Sequence, residues 1–160
     1  MNDNPDKIPP GPEPADPVAR IAARTIDLLI AALLSRLSEP FGMALGLVYL
    51  LIADGMAGGQ SFGKRLLGLR VVDAETFELA GVRQSIRRNA HIALLYALMF
   101  IPILGLILVA VLGTFITAVE TWAIYHDPRG QRMGDLFADT MVVGEAWIRL
   151  PDQELESASP

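Results

Sequence analysis

Arg20, Arg24 and Asp27 are three of the four charged residues in a largely apolar run, residues 18–37. Offsets of four and three place them on one face of a helix. An ionised carboxylate within a bilayer-spanning helix costs about 2.5–3.5 kcal/mol at the centre on insertion scales, so it normally faces protein or water and finds a partner. Two readings of Asp27 follow and both stay open. Arg20 and Arg24 are its charge partners in an internal salt bridge that lets the helix insert, or Asp27 is an ion or proton site. Glu120 is the second acid in an apolar run, and it shares a helical stripe with Thr114, Thr117 and Thr121. A carboxylate among hydroxyls either takes a desolvated cation or a proton, or reaches out to the headgroups from its place near His126.

Other chemistry is thinly represented. The chain has no cysteine, which excludes disulfides, thiolate metal sites, iron–sulfur clusters and cysteine nucleophiles. His91 and His126 are too few for a histidine-rich metal centre, and no metal or cofactor is expected. Gly58-Gly59-Gln60-Ser61-Phe62-Gly63-Lys64-Arg65 matches most of a phosphate-binding loop, but Arg65 stands where the magnesium-binding Ser or Thr belongs, and an apolar helix precedes it instead of a strand. The glycines are read as an exit turn from the bilayer. No nucleophile–base pair is visible, so enzymatic activity is not expected, and nucleic acid is not expected as a partner.

Those residues must be positioned by a very apolar chain. Of 160 residues, 52% are hydrophobic and 19% charged, with mean hydropathy +0.39. That points to one membrane domain. The net charge of −5 comes from the two tails: between residues 17 and 150 there are 12 basic and 11 acidic side chains. Residues 1–17 hold six of the eleven prolines and read as a disordered acidic tail. Their acidic, proline-rich start predicts no cleavable signal peptide. Residues 18–146 form the transmembrane domain, and residues 147–160 a second acidic tail.

Within the domain, residues 18–37 are long enough to cross a bilayer, and residues 41–57 lie at the short end. Ser38-Glu39-Pro40 makes a tight turn, and Gly42, Ala44 and Gly46 allow close helix approach. Residues 58–89 carry half the core's basic residues; Lys64, Arg65, Arg87 and Arg88 are expected to face anionic lipid headgroups. Residues 69–73 and 140–143 each hold a Val-Val pair and read as short strands, possible partners of each other beneath the helices. Residues 82–89 read as a basic interfacial helix. Residues 90–125 are too long for one crossing and break at Pro102 and Gly105 into a hairpin, whose short first arm extends backward into the helix from Val82 or tilts little; a re-entrant or flat first arm is the alternative. Trp122, Tyr125 and Trp147 suit an aromatic belt. The distribution of basic residues predicts an all-α membrane protein: four transmembrane helices as two hairpins, a structured basic cytoplasmic loop, short strands, and both termini in the cytoplasm.

The spacing R-x-x-A-x-x-I-D over Arg20 and Asp27, the loop GQSFGKRLLGLRVVD and the segment RGQRMGDLFADTMVV together resemble the RDD family of bacterial membrane proteins, over about residues 18–143. The resemblance implies that Arg20, Asp27 and Asp135 are the arginine and two aspartates of the family's name. One departure stands out: many members have Gly-Thr where this chain has Asp139-Thr140. Location in the bacterial cytoplasmic membrane is implied as well. So is transport of a small solute, with monovalent cation/proton antiport proposed for some members. The expected ligand is then Na+, K+ or H+ on Asp27 and Glu120, in a homo-oligomer that encloses a path. The alternative is a membrane scaffold or accessory subunit without transport.

Overall fold

The computed structural model describes residues 12–37, 41–56 and 58–147. Helix α1 spans Pro17–Arg36. Asp16 caps it by accepting from the Ala19 amide at 3.0 Å, and Pro17 fills a first turn that needs no amide donor. Helix α2 spans Phe41–Ile52 and tightens into a 3₁₀ turn over Ala53–Gly55. The short α3, Phe62–Leu66, starts at Ser61, whose hydroxyl accepts from the Lys64 amide. Strand β1 is Leu69–Asp73. Helix α4, Val82–Ala97, ends in a 3₁₀ turn over Leu98–Phe100, and α5 runs Leu104–His126. The short α6, Met133–Phe137, leads into β2, Thr140–Gly144.

The small residues of α1 and α2 explain how these helices meet. A Cβ on Gly42 would lie 2.5 Å from the Ser35 carbonyl oxygen, and one on Gly46 would lie 2.7 Å from that of Ala31. Glycine at both positions brings backbone against backbone, as close-packed membrane helices require. Ala44 is exposed and takes no part. Contacts at both ends orient the bundle. Ser35 meets Tyr96 at the end of α1, while Ser85 near the start of α4 donates to the Leu51 carbonyl at 2.7 Å. Helices α1 and α4 therefore begin, and α2 ends, at one polar layer. The last turns of α5 join that layer through Glu120.

The layer holds the sheet. β1 and β2 pair antiparallel, with Val71 opposite Val142 and Arg70 opposite Val143. Val71, Val72, Val142 and Val143 are buried, so each Val-Val pair supplies core on both faces of a small ribbon. Chain order beyond residue 17 is not where structure begins: Pro14 bridges Val143, and the Ala15 amide donates to Val142 O at 2.9 Å. The expected tail boundary therefore moves back, because β2 has a free edge that takes the segment. The rest of both expected tails, residues 1–11 and 148–160, and the Ser38-Glu39-Pro40 turn lie outside the described residues.

The first arm of the second hairpin extends backward into the interfacial helix as expected: the two are one continuous helix, α4, since nothing between Asn89 and Ala90 breaks it. One expectation changes in detail. Trp147 packs edge-on against Phe77, with ring centroids 5.7 Å apart, beside the sheet rather than in a belt with Trp122. Helix α5 has 23 residues and is the one described helix both long and apolar enough to cross a membrane. It stands mostly exposed, with only Gly105 and Ile124 buried.

Candidate functional site

The polar layer is an ion-pair network assembled from all six helices. Asp135, fully buried in α6, is its centre. Arg20 of α1 reaches it at 2.5 Å, Arg88 of α4 at 2.7 Å, and Arg132 just before α6 at 3.1 Å. Arg20 also donates to the Gly130 carbonyl. Gly134 makes the convergence possible, because it lies against the Arg88 carbonyl where a Cβ would collide. Burial alone would raise the Asp135 carboxyl, but Arg88, Arg132 and Arg20 outweigh it and hold the group below the usual carboxylate range.

Asp54, at the end of α2, forms the second node. It pairs with Lys64 of α3, accepts from Asn89 Nδ2 at 3.0 Å, and lies 3.4 Å from Arg88 Nε. Burial pushes the Lys64 ammonium down to about 8; Asp54 opposes that shift, and Arg88 and Arg132 add to it. Asn89 links this node to its neighbours, since its Oδ1 accepts from Arg132 Nη2 at 3.2 Å and from Arg24 Nη1 at 3.4 Å.

Asp27 sits apart from the arginines of its own helix. Its carboxylate accepts from Tyr49 Oη at 2.8 Å, Ser61 Oγ at 2.5 Å and the Gly63 amide at 2.9 Å. Helix proximity therefore misleads here: Arg20 pairs with Asp135, and Asp27 fastens α2 and α3 to α1. Gly63 again permits the approach, lying against the Ala23 carbonyl. Of the four basic residues expected to face lipid, Lys64 and Arg88 are buried in the network, because Asp54 and Asp135 supply them with partners. Arg65 and Arg87 are exposed.

Glu120 occupies the third node. Its Oε1 lies 2.8 Å from His91 Nε2 and its Oε2 lies 3.7 Å from Arg132 Nη1. The hydroxyls of its stripe are not its partners; Thr114, for one, donates to the Ala110 carbonyl. Glu120 lines two spaces. A cavity of about 290 Å³ lies among α1, α4 and α5, and a smaller one of about 190 Å³ lies between His91, Phe115 and Phe137. Asp54, Tyr49, Ser61, Asn89 and Arg132 were not among the site residues legible in the sequence. The signal for Asp54 was its place as an acid ending an apolar helix. For Asn89 it was the spacing of Ser85, Arg88, Asn89 and Ala93, which marks the buried face of α4.

Fold and site define a class: a small helical domain, apolar enough in α5 to cross a bilayer, whose helix ends are tied by a buried network of arginines and aspartates. The chain belongs to the RDD family, whose model matches residues 37–139; such proteins are usually membrane proteins. The matched stretch contains Asp135 but begins after Arg20 and Asp27, so it is narrower than the resemblance over residues 18–143. Comparison with curated proteins and comparison with solved structures both return no match.

Proposed function

We propose that this RDD-family chain is a membrane carrier of a small solute, in which proton binding at the Glu120–His91 pair is coupled to passage. The observation that carries this reading is the position of Glu120, a titratable side chain on the walls of both cavities. Protonating Glu120 removes the charge facing His91 and Arg132, so proton binding and the packing of α5 are linked. Four crossings are supported by the bundle's orientation: α1 and α4 begin, and α2 and α5 end, at the polar layer. Exposed Arg65, Arg83 and Arg87 at that layer support a cytoplasmic side for it, against anionic headgroups. The exposed apolar surface of α5 favours a homo-oligomer, which would close the path.

Exchange of Na+ or K+ at Asp27 has less support. Its oxygens already accept three hydrogen bonds, which a cation would have to displace. The scaffold or accessory reading is favoured by one observation, the satisfaction of Asp27, Asp54 and Asp135 by fixed partners. Vesicles of zwitterionic lipid loaded with a pH dye separate the two readings. With the full chain reconstituted, a gradient of Na+, K+ or octanesulfonate should change internal pH relative to empty vesicles. Silence to all three would retire the carrier reading in favour of the scaffold.

A further inference from the structure

The larger cavity has an unusual charge balance. Arg20, Arg24, Lys64, Arg88 and Arg132 line it, and Glu120 is its one lining carboxylate. Counted with the carboxylates behind them, Asp27, Asp54 and Asp135, the buried layer still holds one more cation than anions when His91 is neutral. The surplus can be located. Arg20, Lys64, Arg88 and Arg132 each have a carboxylate within ion-pair distance. Arg24 has none among the described residues: Nη1 donates to Asn89 at 3.4 Å, and Nη2 is shut off from solvent without a hydrogen-bond partner. A guanidinium stays charged in proteins, so it cannot relieve this by deprotonating. A largely buried guanidinium whose nearest carboxylates lie beyond ion-pair distance is a costly arrangement that an incoming anion would repair.

The walls above that floor are apolar: Leu28 of α1, Ile92 and Leu95 of α4, Val109 and Ile116 of α5. A volume near 290 Å³ falls just below the about 300–1,000 Å³ typical of small-molecule sites. That is room for one short chain and not for a two-chain lipid. We propose that this cavity binds a small single-chain anionic amphiphile, its head group on Arg24 and its alkyl chain between α1, α4 and α5. Arg24 turns from its long contact with Asn89 to a charge-assisted bond with the head, and the chain covers surface that α5 leaves open. As the solute class of the carrier, the inference rests on the reading above; as a binding site, it stands without it.

The test uses the full chain in nanodiscs of zwitterionic lipid, titrated calorimetrically with octanesulfonate against empty nanodiscs. Its head stays ionised throughout, so binding is not confused with proton-driven flipping. Saturable binding is expected, with no saturable binding of octanol or octyltrimethylammonium. Arg24→Gln should weaken it about tenfold or more. Gly113→Leu should abolish it without touching charge: a Cβ at Gly113 meets only the Leu95 side chain, at 3.4 Å, and a leucine there fills the space. Unchanged elution and near-ultraviolet dichroism show that both variants are folded. Equal binding of octanol, or unaltered affinity in folded Arg24→Gln, would overturn the site. Loss of octanesulfonate binding when phosphatidylglycerol is added to the nanodisc would overturn the single-chain occupant in favour of a membrane lipid. Saturable binding with no vesicle flux would uphold the site and retire the carrier.

Discussion

At the scale of single residues, each buried aspartate holds several donors at once. Removing the Asp135 charge leaves Arg20, Arg88 and Arg132 facing one another, and breaking a buried network in this way typically costs about 3–5 kcal/mol. Asp135→Asn should therefore unfold the polar layer, seen as a large fall in the detergent melting temperature. The same pairing sets a pH limit. The folded carboxyl lies below its ordinary value of 3.8, so its stabilisation is fully present above that pH and is lost as pH falls through the lower folded value. Thermal melts from pH 6 downward should show the decline begin near pH 4. Asp27→Asn is a milder case. It keeps a polar group but loses acceptor capacity towards Tyr49, Ser61 and Gly63, costing about 1–3 kcal/mol. Flux per folded molecule should be unchanged in that variant; its loss would return Asp27 to the ion path. Sequence spacing singled out Arg20 and Asp27, and the family resemblance added Asp135. It could not pair them, because helical offsets report neighbours on one helix while Asp135 lies 115 positions from Arg20.

At the scale of elements, β-branching made both strands legible, and their pairing follows from the buried Val-Val faces. Pro102 marked the break before α5 correctly. The continuity of α4 was legible as well, because the apolar arm before Pro102 is too short to cross alone and nothing at Asn89 interrupts the helix. The departure at Asp139 has a structural counterpart. Asp139 follows α6 with φ +51°, in the left-handed region that glycine enters freely and aspartate only at a cost. Its backbone is held there, since its carbonyl accepts from the Ala74 amide at 2.9 Å. Asp139→Gly should thus raise stability by about 1 kcal/mol, read as a higher melting temperature with the fold unaltered. A lower melting temperature would mean that the exposed carboxylate makes a contribution the backbone geometry does not reveal.

At the scale of the whole molecule, a two-stranded ribbon, two short helices and three buried acidic nodes close one end of a bundle whose other surfaces are apolar. Composition made the membrane class and the near-neutral core, one positive charge in excess, legible, because both follow from counting. The cavities were not legible, since empty space depends on how α5 stands away from α1. Reporter fusions test the proposed orientation: fusions at Ala80 and at Ser157 should both read as cytoplasmic, and a periplasmic reading at Ser157 would remove one crossing from the second hairpin. The coupling claim rests on Glu120 alone, because it is the carboxylate common to both cavities. Its most direct test is proton movement in dye-loaded vesicles carrying Glu120→Gln, measured beside the unaltered chain at equal amounts of folded protein. The substitution keeps the side chain's size and removes its proton. Solute-driven change of internal pH should disappear while elution and melting temperature stay close to those of the parent. An undiminished pH response in folded Glu120→Gln would contradict the account.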